Sequence, residues 1–246
     1  MDQALFLAMT GAVHNNRAQS IHANNLANVG TTGFRADFAQ ARAMQVFGPT
    51  YPSRAYALTE SPGTRFESGA LDATGKDLDV AIDGDGFLIV QTADGGEAYT
   101  REGALQPDVD GVLRNSAGFP VLGEGGQIVL PPSETVTIGQ DGTVSVRPLG
   151  QGAETLVEVG RLRRVNPGNE TLEKGPDGLF RPRDAGAAPL DDPAVKVVSG
   201  ALETSNVNAV EEMVQILALA RQFEVQVKMM HTAEVNDEAA ARLLQS

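Results

Sequence analysis

The 246-residue sequence has no cysteine, no tryptophan and only three histidines. Without cysteine the chain can form neither disulfides nor thiolate metal sites, which fits a reducing compartment or a chain that passes through one unfolded. His14, His22 and His231 all fall in predicted helices. His14 and His22 are eight positions apart, whereas two metal ligands on adjacent helical turns need a spacing of about four. We therefore predict no metal site and no cofactor.

Basic residues are also scarce. The chain has 19 Lys and Arg against 32 Asp and Glu, a formal net charge of −13, and no basic block that could follow a phosphate backbone. No apolar run reaches the roughly 18 to 20 residues that a bilayer-spanning helix requires. The apolar start lacks the basic region of a secretory signal. We expect neither a nucleic-acid partner nor membrane insertion.

Sequence patterns typical of catalysis are missing as well. Ser116 lies outside a nucleophile elbow, because Arg114 occupies the first glycine position of that motif. Asp79, Asp83 and Asp85 do not have the spacing of a calcium-binding loop. Aromatic residues, which usually line sugar sites, make up 5% of the chain. We predict no catalytic residues, so the chain is not expected to be an enzyme.

Glycine and proline are present, but their distribution is uneven. Of the 27 glycines and 13 prolines, only Gly11 falls in residues 1–29 and none falls in residues 201–246. This pattern predicts an α+β fold with four segments: an N-terminal helix in 1–30, connecting loop and short strands in 31–75, an outer β domain in 76–199 and a C-terminal helix in 200–246. Turn residues about every ten positions favour a sandwich or barrel for the β domain, with a hairpin formed by 87–91 and 97–101.

Apolar residues recur at helical spacing near both ends of the chain. We expect Gly30 to end the first helix in a left-handed conformation, and Asn206 or Asn208 to cap the second. The two apolar stripes are predicted to pack as a coiled-coil-like pair, either within one chain or together with neighbouring subunits. The residues predicted to form this packing are Leu5, Met9, Leu26, Ile216, Leu217, Phe223, Val227 and Met230.

Two stretches, one near each end of the chain, are distinctive. The first is the run from Asn24 to Phe34, Asn-Asn-Leu-Ala-Asn-Val-Gly-Thr-Thr-Gly-Phe, and the second is the run from Glu203 to Met213. Both resemble the terminal signatures of the flagellar rod and hook axial proteins. Other stretches, including 77–87 and 172–180, are similar to the proximal-rod members of that family. The signature residues are Asn24, Asn25, Leu26, Ala27, Asn28, Gly33, Phe34, Ser205, Asn206, Val207 and Asn208.

The resemblance implies a structural subunit of the bacterial flagellar basal-body rod, located in the periplasm. Such a subunit is exported unfolded through the flagellar type III apparatus, stacks helically with itself and with other proximal and distal rod proteins, and transmits torque. The terminal helices would line the export channel, and Asn24, Asn25 and Asn28 would make polar contacts or end the helix. Two alternatives remain open: a distal-rod subunit, and a non-flagellar β-sandwich binding module or adhesin.

Overall fold

The computed structural model describes residues 2–38, 41–45, 55–59, 63–150, 155–183 and 190–245. Two long helices occupy the two ends of the chain, α1 (Asp2–Ala27) and α2 (Ala209–Gln245), and the described part of the chain between them contains short antiparallel strands. The prediction of an α+β fold with helical ends is therefore confirmed.

Among the described residues, the strands follow one another without an intervening α-helix. In chain order they are β1 (Asp37–Phe38), β2 (Ala41–Gln45), β3 (Ala55–Thr59), β4 (Gly63–Thr64), β5 (Leu71–Ala73), β6 (Val80–Asp83), β7 (Phe87–Gln91), β8 (Glu97–Thr100), β9 (Leu105–Pro107), β10 (Leu113–Asn115), β11 (Leu122–Gly123), β12 (Gly126–Gln127), β13 (Ser133–Ile138), β14 (Thr143–Pro148), β15 (Val157–Arg161), β16 (Arg164–Val165), β17 (Leu172–Lys174), β18 (Phe180–Pro182), β19 (Lys196–Ser199) and β20 (Ala201–Glu203). One 3₁₀ turn, Asn169–Thr171, precedes β17.

The chain divides into two compact units. The helical unit comprises Met1–Val29, Ala36–Arg65 and Val207–Ser246, and the β unit comprises Gly30–Arg35 and Phe66–Asn206. In the helical unit, α1 packs against α2, β1 pairs with β4, and β2 pairs with β3, both pairs antiparallel. Residues of the predicted connecting segment, 31–75, thus belong to both units.

The end of α1 differs from the prediction. Gly30 does not have a positive φ, so it does not close the helix in a left-handed conformation. Instead, the amide of Asn28 donates to the carbonyls of Asn24 and Asn25. These hydrogen bonds tighten the last turn and satisfy helix-end carbonyls without a residue in the left-handed conformation. The start of α2 follows the prediction, because Asn208 Oδ1 accepts the amides of Val210 and Glu211 at 3.1 and 3.3 Å.

The β unit is built from small antiparallel sheets. The largest has the order β16-β7-β8-β18-β17, and a second has the order β13-β14-β15. The predicted hairpin is confirmed, since β7 pairs with β8 with Leu88 opposite Thr100 and Gln91 opposite Glu97. Most of the core is a cluster of buried aliphatic side chains from β6 to β10, β13, β14 and β19 and from the loops of the β unit. A sandwich or barrel arrangement of these sheets remains a prediction.

Three turns of the β unit share one arrangement. In each, an aspartate accepts the amide of the residue two positions on, a glycine with positive φ follows, and an arginine contacts the carboxylate. The turns are Asp108 with Gly111 and Arg114, Asp141 with Gly142 and Arg161, and Asp177 with Gly178 and Arg181. Hydrogen bonds to the charged form hold the pKa of all three carboxyls below the usual range. The main donors are Arg114, the Thr143 hydroxyl and Arg181, respectively.

The three lowered pKa values give stability that is present above the unfolded-state pKa of about 3.9 and is lost as the pH falls through the folded-state values. The Tm of a variant with Asp108→Asn, Asp141→Asn and Asp177→Asn should therefore decrease less between pH 7 and pH 3 than the Tm of the parent does. Thermal melts followed by circular dichroism across this range test the expectation. Parallel curves for parent and variant would contradict it.

Candidate assembly surface and signature residues

Small and polar residues of α1 take part in the described contacts with α2. Ala8 and Ala12 are buried, and a Cβ added at Gly11 would lie 2.6 Å from the side-chain nitrogen of Gln226. Asn15, also buried, donates from Nδ2 to Gln226 Oε1 at 3.3 Å. The two helices therefore approach closely along this line, and no large apolar side chain contributes to these particular contacts.

Asn25 connects three elements of the helical unit. Its side chain is 1% exposed; Nδ2 donates to the Asp37 carbonyl at 2.7 Å and to Glu212 Oε1 at 3.1 Å, and Oδ1 accepts the Asp37 amide at 2.9 Å. The other carboxylate oxygen of Glu212 lies 2.5 Å from Nδ1 of His22. This signature asparagine thus ties α1 to β1 and α2, a role that needs both its donor and its acceptor.

Most of the residues predicted to form helix packing lie on the surface of the chain. Leu5, Met9, Leu217, Phe223 and Val227 are 43, 48, 60, 40 and 43% exposed, whereas Leu26, Ile216 and Met230 are half-buried. Further large apolar side chains are also exposed on α1 and α2, namely Val13, Val210, Met213, Val214, Val225, Met229 and Val235. The helix pair of one chain therefore leaves much of its apolar surface uncovered.

The rest of the N-terminal signature falls in both units. Asn24 and Ala27 are exposed, and half-buried Asn28 donates from its side chain to the Asn24 carbonyl at 2.9 Å. In the β unit, buried Gly33 donates its amide to the Glu203 carbonyl at 2.8 Å.

The Phe34 ring, in turn, lies 3.9 Å from the Lys174 ammonium, within the range of a cation–π contact.

The C-terminal signature is also divided, with Ser205 and Asn206 in the β unit and Val207 and Asn208 in the helical unit. Asn206 donates its amide to the Phe34 carbonyl at 3.3 Å and its side chain to the Glu67 carbonyl at 2.9 Å. Ser205 and Val207 are half-buried, and Asn208 is the cap of α2. The structure therefore brings the two signatures together at Gly33, Phe34 and Asn206.

The backbone conformation and close packing at position 33 explain why the signature requires glycine there. Its φ of 67° is costly for other residues, and a Cβ at this position would overlap the backbone of Arg101. We expect Gly33→Ala to lower the free energy of unfolding by about 2 kcal/mol or more. Gly30→Ala is the control, because a Cβ there meets nothing within 4 Å and φ is not positive. Equal urea midpoints for the two variants would refute the explanation.

The β unit also contains a buried ionic cluster that the sequence analysis missed. Glu203 accepts from Arg35 Nη1 at 2.5 Å, from Arg101 Nη1 at 2.9 Å and from the Gly69 amide at 2.9 Å. Glu203 and both arginines are less than 5% exposed. Burial lowers the pKa of Arg35, although the Glu203 charge opposes this effect. Glu203 lies two positions after buried Ala201 in β20, and side chains two positions apart in a strand point to the same face. This spacing was the available signal that Glu203 points into the core.

Two classes of site are missing from the part of the chain that the structure describes. Within it, no group of three or more His, Cys, Asp or Glu residues could hold a metal ion. Neither of its two helices is long and apolar enough to cross a lipid bilayer.

Comparison with known proteins identifies the family. Residues 6–35 match the family of flagella basal body rod proteins, residues 81–146 the D1 domain of the flagellar hook proteins FlgE/F/G, and residues 198–243 the C-terminal region of the flagellar basal body rod proteins FlgEFG. The chain is 42% identical to the flagellar basal-body rod protein FlgF of Escherichia coli and 40% identical to that of Salmonella typhimurium, over 99% of both chains in each case.

Relatives named FlgG are more distant. The FlgG of Buchnera aphidicola from Schizaphis graminum is 33% identical over 95% of this chain and 96% of its own. The distal-rod alternative is therefore not favoured. Relatives of both names are structural rod proteins, in agreement with the prediction that the chain is not an enzyme. The chain belongs to the flagellar basal-body rod proteins of the FlgF type and is a structural subunit of the basal body.

Proposed function

We propose that this subunit polymerises helically through α1 and α2, which form an inner tube around the export channel, while the β unit lies outside that tube. In this arrangement the coiled-coil-like pair of one chain is completed by helices of its neighbours. Leu5, Met9, Leu217, Phe223 and Val227 supply the contacts between subunits, together with the half-buried Leu26, Ile216 and Met230. The resulting polymer transmits torque along the rod.

The observation that carries this proposal is the apolar surface that the helix pair leaves exposed. Full burial of one Leu, Phe, Val or Met side chain contributes about 1.5–3 kcal/mol. Five of the eight predicted packing residues are at least 40% exposed in the single chain. Contiguous apolar surface on a soluble chain marks an interaction site. Neighbouring helices of the same kind can bury it, as adjacent stripes do in helix bundles.

Each predicted segment has its own role in the proposed rod. The segments 1–30 and 200–246 build the core of the rod, 31–75 connects it to the outer part, and 76–199 forms the outer domain. Acidic charge is concentrated in the last of these, with 11 basic and 20 acidic residues in 76–199. An acidic outer domain keeps the exposed part of a polymer soluble, because like charges repel further association.

The partners and the route to the rod follow from the same proposal. The subunit contacts other copies of itself and the other proximal and distal rod proteins, and it reaches the periplasmic rod unfolded through the flagellar type III export apparatus. A chain without cysteine cannot be trapped by disulfides on that route.

Circular dichroism of the purified full chain tests the proposal. If the helices need neighbours, ordering them alone costs conformational entropy that the small seam of Ala8, Gly11 and Ala12 does not offset. We expect the monomer, verified by sedimentation velocity, to show clearly less helix than the 26 and 37 residues of α1 and α2. Helicity should then increase on assembly.

Full helicity of a stable monomer that does not assemble would contradict the proposal. That result would favour the rival function, a β-sandwich binding module for which the helix pair is only a base.

A further inference from the structure

Exposed apolar side chains of α1 form a single ridge. Leu5, Met9 and Val13 recur every four residues and are all exposed. Side chains four positions apart lie in one row along the surface of a helix. This row, called the ridge below, is about 12 Å long at a rise of 1.5 Å per residue.

Exposed apolar side chains of α2 form two rows instead of one. Val210 and Val214 make the first row, and Met213 and Leu217 make the second, neighbouring row. All four side chains are at least half exposed. The furrow between the two rows, called the groove below, is about 10 Å long. A single row of one helix packs into such a furrow of another, and the two surfaces here match in length.

The ridge and the groove of one chain lie too far apart to cover each other. His22 Nδ1 is 2.5 Å from Glu212 Oε2, whereas Asn15 donates to Gln226 Oε1 at 3.3 Å, so α1 and α2 are antiparallel. Gly11, inside the ridge segment, also faces Gln226. The ridge therefore lies level with Gln226, and the groove lies level with Glu212. These two levels are about 20 Å apart along α2.

Opposite charges border the two surfaces. Arg17 continues the row of the ridge by one further step of four residues, and Glu211 lies three positions before Val214 at the start of the groove. Both side chains are exposed, and neither has an ion-pair partner within the part of the chain that the structure describes. Charge complementarity is therefore added to the complementarity of shape.

We infer that the ridge of one copy of this chain packs into the groove of the next copy, with Arg17 of the first copy paired to Glu211 of the second. The inference rests on the proposed polymerisation and names the two surfaces that meet in it. This contact removes seven exposed apolar side chains from water, and the charge pair fixes the direction in which the helices align.

That direction agrees with an open polymer. When Arg17, at the end of the ridge, meets Glu211, at the start of the groove, α1 of one copy is antiparallel to α2 of the next. Because α1 and α2 are antiparallel within a chain as well, successive copies point the same way. Each copy is also displaced by about 20 Å along the helices, so the contact is head-to-tail and does not close into a dimer.

Chemical crosslinking is the first test, because a chain without cysteine reacts only at thiols that are introduced. The variant with Met9→Cys and Val214→Cys has one thiol on the ridge and one at the groove. It is expressed in a strain that lacks its own copy of this subunit, and purified basal bodies are treated with a short bismaleimide. We expect dimers and longer multiples of the chain on a denaturing immunoblot.

The matched control is the variant with Met9→Cys and Val235→Cys. Val235 is also exposed on α2 but lies about 30 Å beyond Val214, so the control should give at least about tenfold fewer multiples. Equal yields from the two variants, or no multiples from Met9→Cys with Val214→Cys, overturn the inference. Polymerisation through the helices stands in that case if Leu217→Asp is still excluded from basal bodies, whereas normal incorporation of Leu217→Asp contradicts the proposed function itself.

Exchange of the two charges is the second test and leaves the apolar surfaces unchanged. We expect Arg17→Glu to reduce incorporation to about a third of the parent level, and the addition of Glu211→Arg to restore it to within about 1.5-fold. Arg17→Glu with Glu224→Arg is the control, because Glu224 is exposed on α2 two turns beyond the groove and should restore nothing. No recovery with Glu211→Arg, or equal recovery in both double variants, overturns the inference.

Discussion

Replacing Glu203 by alanine should lower the free energy of unfolding of the β unit by about 3–5 kcal/mol, the usual cost of removing one partner from a buried ionic group. The carboxylate of Glu203 is the common acceptor for Arg35, Arg101 and the Gly69 amide, and all three side chains of the cluster are less than 5% exposed. Without it, two guanidinium groups stay buried next to each other without the carboxylate that pairs with both. Urea unfolding of the full chain, followed by circular dichroism in the β-sheet region, measures the loss.

A surface ion pair is the matched control for this prediction. Glu134 contacts Arg147 at 3.2 Å, and its side chain is 45% exposed. Such pairs contribute about 0 to 1 kcal/mol, so Glu134→Ala should shift the urea midpoint little. A triple variant with Arg35→Met, Glu203→Leu and Arg101→Met should regain much of the stability, because replacing all members by apolar groups leaves no charge unpaired. Similar midpoints for Glu203→Ala and Glu134→Ala would show that the cluster is not a major determinant.

The elements that the sequence predicted well are those in which local rules decide the structure. α1 and α2 lie where apolar spacing and the lack of proline place them, because helical hydrogen bonds connect residues only four apart. The β7–β8 hairpin follows from two apolar runs joined by a glycine-rich turn, which is again a local signal. The Asn208 cap acts within three residues of its own position.

The parts that could not be predicted depend on contacts between distant residues. Glu203 lies 168 positions from Arg35 and 102 from Arg101, and no local pattern states which charged residues become partners in the core. Gly33 was identified only as part of a signature, since its need for a missing Cβ comes from the backbone of Arg101. Gly30 was wrongly given the left-handed position, because Asn28 already closes the last turn of α1 with two carbonyls.

The exposed apolar side chains of α2 lead to a second prediction, which concerns assembly of the rod rather than folding of the chain. Leu217 is 60% exposed in the single chain, so Leu217→Asp should leave the urea midpoint and Tm close to those of the parent. In the polymer that we propose, the same position is buried between subunits. Loss of about 1.5–3 kcal/mol of burial, together with the cost of an unpaired charge at each contact, should reduce incorporation to about a tenth of the parent level or less.

The measurement uses a strain that lacks its own copy of this subunit and expresses either the parent chain or a variant. Soft-agar motility and the amount of the chain in purified basal bodies are compared at equal cellular levels. Gln222→Asp places the same charge on α2 at an exposed polar position and should incorporate like the parent. If Leu217→Asp incorporates normally, the stripe does not form the contacts between subunits. If both variants fail equally, added charge anywhere on α2 blocks assembly, and Leu217 has no special place in the contact.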